Sequence, residues 1–171
     1  MREPRKLKQG ASYHIIARAN RSEMIFSSPK IKEMFMEVVR RAKGKYRFEV
    51  RNFCIMGNHI HLIIKPLQGQ NLSNIMQWIL SVFAMKFNRM FGYIGHVFYD
   101  RFKSKIIKSF HQYLTTFVYI AKNPVRANIT DCATDFAYNG ITFLYKGQLD
   151  ILERPPNPLL RRVWYLLHHS C

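Results

Sequence analysis

Apolar residues along this chain recur first at the period of a strand, then at that of a helix, and the switch repeats. Residues 13–19 (YHIIARA) predict a strand. Residues 20–28 read as a loop, and Ser28-Pro29 as a helix start with proline in the first turn. Ile31, Met34, Phe35, Val38 and Val39 then follow helical spacing, and Gly44 predicts the stop. Residues 48–56 predict a second strand, Gly57-Asn58 a break, and residues 59–65 (HIHLIIK) a third strand ended by Pro66. So short a gap fits a hairpin or a bend in one long strand. Residues 72–91 predict a long helix capped by Asn71 or Ser73, with Ile75, Ile79, Val82, Phe83 and Phe87 as its buried stripe. Gly92 and Gly95 bracket a loop. Residues 97–108 alternate basic and apolar side chains, which predicts a strand with positive charge on one face. Residues 109–122 predict a third helix. Asn123-Pro124 ends or kinks it, because proline disfavours helical geometry in the residue before it.

Beyond residue 130 the pattern weakens. Pro155-Pro156-Asn157-Pro158 reads as a linker before a short tail rich in arginine and aromatics. The order β-α-β-β-α-β-α predicts an α+β fold, ferredoxin-like, with helices packed on an antiparallel sheet. At 171 residues the chain favours a single domain with a real core. There is no internal repeat.

Charge changes the picture. Against 10 Asp+Glu stand 27 Lys+Arg, a formal +17. Such an excess repels itself in a compact fold, so a polyanionic partner is expected, and nucleic acid is the leading candidate. The basic residues are dispersed: Arg2, Arg5, Lys6 and Lys8 in an N-terminal arm, then residues 40–51, residues 101–108, and Arg161 with Arg162. A polybasic membrane anchor is more local. No apolar run reaches the roughly 18 residues of a membrane span, and the basic N-terminus lacks an apolar signal core. A soluble, cytoplasmic protein with no membrane partner is expected. Cys54, Cys132 and Cys171 are too few and too scattered for a disulfide framework or a zinc ribbon, and Cys54 reads as a small core residue.

His59-Ile60-His61 is the sharpest chemical feature. Alternate side chains on a strand share a face, so the two imidazoles point together and form a half-site for a divalent metal. The tripeptide alone also fits two histidines that merely hydrogen-bond within the fold. Tyr119 and Asn123 are four apart and share a helix face. A tyrosine phenol can attack a phosphodiester, and an Asn oxygen is a plausible hard ligand for magnesium or manganese. Taken singly, Tyr119 is equally a packing aromatic and Asn123 a helix cap.

Together, GNHIHLIIKP and YIAKNPVRA resemble the single-tyrosine HUH transposases, the insertion-sequence-200-like group, with a closer likeness to the REP-associated tyrosine transposases. YHIIARANRSEMIF, FCIMGNHIHL and GHVFYDRFKSKII fit the same pattern in order, so the resemblance spans about residues 12–130. It implies a transposase domain over residues 1–130, including the basic arm, and a C-terminal extension of unassigned role over 131–171. It implies that His59, His61 and Asn123 hold a divalent Mg2+ or Mn2+, and that Tyr119 attacks the scissile phosphate to give a 5′-phosphotyrosine and a free 3′-OH. The chain departs from the family in having Gly57 where proline is usual and Asn128 where glycine is common.

The implied partner is single-stranded or hairpin DNA, handled by a monomer or a homodimer. Basic residues interleaved with aromatics suit that substrate, and Arg101, Phe102, Lys103, Lys105 and Arg126 lie next to the tyrosine helix in sequence. Arg101, Lys103, Lys105 and Arg126 are therefore expected to contact DNA. His14, His96 and His111 are lesser candidates, more at home as structural residues, and His168-His169 is incidental. Two other readings stay open: a hairpin-binding protein that no longer cuts, and a metal phosphoesterase with a water nucleophile.

Overall fold

The computed structural model describes residues 7–168. Residues 1–6 of the basic arm, with residues 169–171, lie outside the described residues. Strands β1 (Ser12–Arg18), β2 (Phe48–Ile55), β3 (His59–Pro66) and β4 (Lys103–Ile107) form one antiparallel sheet in the order β2-β3-β1-β4. β2 and β3 form a hairpin. Helices α1 (Pro29–Lys45) and α2 (Leu72–Phe91) fill the crossovers between β1 and β2 and between β3 and β4. This is the ferredoxin-like α+β arrangement. No helix among the described residues is long and apolar enough to cross a membrane.

Strand alternation divides the sheet into two faces. Tyr13, Ile15 and Ala17 of β1 and Ile60, Leu62 and Ile64 of β3 are buried in a core with Phe35, Val38 and Val39 of α1 and Ile75, Ile79 and Phe83 of α2. Ser28 starts α1 by accepting the Ile31 N–H (3.4 Å) with Pro29 in the first turn, and Asn71 caps α2. Gly44 does not stop α1. The helix runs to Lys45, and the Tyr46 N–H still closes on the Ala42 carbonyl (2.8 Å). Packing of Ala42 into the core outweighs the roughly 1 kcal/mol that a helical glycine costs.

A β-bulge on β2 redirects the other face. Val50 pairs with Ile64 but Asn52 pairs with Ile63, so Arg51 is an extra residue and the alternation shifts by one. Phe48 and Val50 precede the shift on the α1–α2 side. After it, Phe53 and Ile55 take that side, while Cys54 joins Ile63 in a second core under α3 (Phe110–Ala121). Burial raises the Cys54 thiol to about 12, so it packs there as a small apolar group.

Two regions correct the sequence expectations. Residues 97–108 do not form one strand. Residues 97–99 still follow β1, with Asn20 N–H donating to the Val97 carbonyl (2.8 Å) and Tyr99 N–H to that of Arg18 (3.1 Å). At Asp100 the chain turns out, the Asp100 carboxylate accepting the Arg101 N–H (2.6 Å), and β4 proper begins only at Lys103. Nor is the proline-rich segment a linker. Leu152 bridges to Val50, Glu153 N–H donates to the Val50 carbonyl (2.9 Å), and Pro155 is buried. Helix α4 (Asn123–Arg126) follows α3, and two further helices, α5 (Gly140–Tyr145) and α6 (Asn157–His168), complete the second layer. Leu159, Val163 and Leu167, four apart along α6, pack with Leu114 and Phe117 of α3.

Candidate active site

The β1–β3 register sets Arg18 opposite His59 and Ile16 opposite His61, and the β1–β4 register sets Ile16 opposite Lys103 and His14 opposite Lys105. Directly opposed residues share a face. Arg18, His59, His61, His14, Lys103 and Lys105 therefore project from the side of the sheet that carries α3.

Two buried amides fix α3 there. Asn52 Nδ2 donates to the Phe117 carbonyl (3.0 Å), and Asn139 Nδ2 to the Ala121 carbonyl (2.7 Å). Tyr119 lies between these anchors. Its ring centre stands 5.7 Å from that of His61 and 6.0 Å from that of His14, and the side chain is 40% exposed. Asn123 begins α4, and its side chain lies close enough to His59 to act on that imidazole. The Arg126 guanidinium lies over the Tyr119 ring at 4.9 Å. The imidazole pair, the phenol and the amide thus meet on one face of a single chain.

Burial lowers the pKa of all three histidines. His61, only 3% exposed, drops to about 3 through burial first, then the charges of His59, His14 and Arg18. His14 drops to about 4 through burial and the charge of Lys105. His59 is lowered by burial and Arg18, opposed by the side chain of Asn123. All three rings are neutral at pH 7, with a lone pair each. Asn58 fixes one tautomer. Its Nδ2 donates to the Ser22 carbonyl (3.5 Å), which turns Oδ1 towards His59 Nδ1 at 2.6 Å. That nitrogen therefore carries the proton, and Nε2 keeps the lone pair.

The pair fits a shared cation. A metal–nitrogen bond of about 2.1 Å puts a ring centre roughly 3.2 Å from the ion, so ligands about 90–110° apart have centres roughly 4.5–5.2 Å apart. The His59 and His61 centres are 4.9 Å apart. Among the described residues no three His, Cys, Asp or Glu side chains form a metal site. The amide of Asn123, beside His59, is the group that could serve as a third donor.

Beside the imidazoles, Arg18, Arg21, Tyr99, Asp100, Arg101 and Lys103 line a cavity of about 540 Å3. Arg101 and Lys103 were expected at a binding surface; Arg18 and Arg21 were not. The alternation His14, Ile16, Arg18 on one strand was the available signal for Arg18. Lys105 sits opposite His14, and Arg126 on the phenol. His96 lines a different groove, against α2, and His111 is exposed at the start of α3. Neither reaches the imidazole pair. His14 does, through a hydrogen bond to His61 (2.9 Å).

The chain belongs to the family described as "Transposase IS200 like", whose pattern matches residues 8–123 and so takes in the strands, the histidine pair, Tyr119 and Asn123. Among solved structures it is similar to a REP-associated tyrosine transposase bound to a REP hairpin, with a TM-score of 0.72 and 19% identity over 91% of this chain and 93% of the other. It is also similar to a transposase candidate from Deinococcus radiodurans R1, with a TM-score of 0.50 and 11% identity over 86% of this chain and 98% of the other. Among curated proteins no sequence matches.

Proposed function

We propose that this protein cuts and rejoins single-stranded DNA, with Tyr119 as nucleophile and His59, His61 and Asn123 as holders of a divalent cation, Mg2+ or Mn2+. The observation that carries the reading is the convergence of these four side chains within one protomer, so that a monomer holds a complete site.

Tyr119 Oη attacks the scissile phosphorus. The phenol gives up its proton as the P–O bond to tyrosine forms, the P–O3′ bond breaks, and the leaving 3′ oxygen takes up a proton. The 5′ end remains on the tyrosine, and attack by another 3′-OH reverses the step and joins strands. The cation would supply Lewis-acid charge neutralisation at the phosphate. Asn58 holds His59 in the tautomer that offers Nε2 to it. Arg126, over the phenol, steadies the ring and adds positive charge where the phosphate must lie.

The cavity lined by Arg18, Arg21, Arg101 and Lys103 takes the strand next to the scissile phosphate, with exposed Tyr99 available for base stacking. The REP hairpin in the related structure makes a hairpin-bearing strand the substrate to try first.

The test is incubation with 5′- or 3′-labelled single-stranded hairpin DNA and Mn2+. A covalent protein–DNA adduct in the wild type and none in Tyr119→Phe supports the reading. Cleavage that survives Tyr119→Phe assigns the attack to water, and tight binding without cleavage assigns the protein a binding role only.

A further inference from the structure

We propose that His14 is a positioning residue for the metal site: its Nε2 accepts the Nδ1 proton of His61 and so holds His61 in the tautomer that leaves Nε2 free for a cation. The inference rests on the reading of His59, His61 and Asn123 as cation holders.

The geometry is that of a direct, in-line bond. His14 Nε2 and His61 Nδ1 are 2.9 Å apart, the ring centres are 5.2 Å apart, and the planes differ by 25°. A ring nitrogen lies roughly 1.15 Å from its ring centre, so a collinear N–H···N bond puts the centres about 5.2 Å apart. The rings are therefore end to end in nearly one plane, not stacked face to face. The lone pair of one nitrogen points along the N–H of the other.

One proton occupies this bond, and only one of the two arrangements permits catalysis. If His14 donates, His61 must carry its own proton on Nε2, and neither of its nitrogens can bind a cation. If His61 donates, Nε2 is a free ligand. Without an acceptor at this buried position, an Nδ1–H on His61 would have no partner, which favours the wrong tautomer. Asn58 serves His59 in the same way, so each imidazole has its Nδ1 engaged by a neighbour and its Nε2 left over. His14 reaches His61 because it opposes Ile63 on β3, two residues from His61 and on the same face, a diagonal pair within reach of aromatic side chains.

Long-range 1H–15N spectra of the metal-free protein at pH 7 and Mn2+ binding, counted by electron paramagnetic resonance of the free ion, test this together. The wild type should show His61 as the Nδ1–H tautomer. His14→Phe keeps a ring but removes the acceptor, and should lose that tautomer and weaken Mn2+ binding about 10- to 100-fold. His14→Gln, whose Oε1 can accept the proton, should stay within about threefold. The far-UV circular dichroism spectrum of His14→Phe should match that of the wild type, which separates a damaged site from a damaged fold. An Nε2–H tautomer of His61 in the wild type, or wild-type Mn2+ affinity in His14→Phe, overturns the proposal. If the wild type takes up no Mn2+, the reading of the metal site fails instead, and the His61 tautomer alone decides the part played by His14.

Discussion

Asn52 on β2 holds the Phe117 carbonyl on α3 at 3.0 Å, two residues before Tyr119. The bond exists because the bulge at Arg51 turns the strand over, so that a polar side chain faces a helix instead of the α1–α2 core. Asn52 also accepts the Phe53 N–H (2.9 Å), so both ends of its amide are used. The position of Tyr119 is thus traceable to one extra residue in a strand.

Asn52→Ala should therefore cost stability and activity together. Losing the bond to the Phe117 carbonyl and stranding the buried Phe53 N–H should cost about 1–3 kcal/mol. Urea denaturation reads the first effect and the rate of DNA cleavage the second. A variant as stable and active as the wild type would show that α3 is placed by its apolar face alone. Gly140→Ala should push on the same amide, since a Cβ there meets Asn52 Oδ1 and the Phe53 nitrogen.

Stability should fall as the solution is acidified below about pH 6.5. His61 and His14 have folded pKa values of about 3 and 4, below the ordinary imidazole value of 6.5, so under pH 6.5 the unfolded chain binds protons that the folded chain does not. For His61 the loss is up to about 1.4 kcal/mol per pH unit, complete once the pH reaches the folded pKa. The contribution is fully present above pH 6.5. Urea midpoints at pH 7.5, 6 and 5 check this, and His61→Gln should flatten the slope.

Helix α6 should be a structural necessity for α3. Val163→Asp places a charge among Leu114, Phe117 and Leu167 and should lower stability by about 3 kcal/mol or more. It should also expose the segment after residue 150 to protease. An unchanged melting temperature would make α6 an accessory that merely rests on the core.

Affinity for single-stranded DNA should fall steeply with salt. Replacing Lys103 by Gln removes one cation from the cavity beside the histidines and should lower the slope of log K against log salt by about 1. Replacing Lys30, which lines a groove between α1 and α2 on the opposite side of the sheet, should leave the slope unchanged.

The element order and the sheet were legible because the apolar period changes sharply at the turns. Asn128, which stands where glycine is common in the family, has φ of 53°, a left-handed geometry that asparagine tolerates. Three features were not legible. The Gly44 stop failed because tertiary packing overrides a local propensity. The interruption at Asp100 depends on a side chain folding back onto its own backbone, which alternation does not encode. The docking of α6 follows from an apolar face whose partner is some 45 residues upstream, and three nearby prolines hid it. At the site, strand alternation gives the shared face of His59 and His61. Nothing local marks Tyr119 among nine tyrosines, and its placement came from a family resemblance. The bond from His14 to His61 joins residues 47 apart in sequence, a pairing only the register reveals.

One phenol, that of Tyr119, is expected to make a covalent bond to DNA. The most direct measurement is peptide mass spectrometry of the protein after reaction with single-stranded hairpin DNA and Mn2+, followed by nuclease trimming. A nucleotide adduct on the Tyr119 oxygen is the predicted result. An adduct on another tyrosine, such as half-buried Tyr113, or cleaved DNA with no tyrosine modified, would contradict the account.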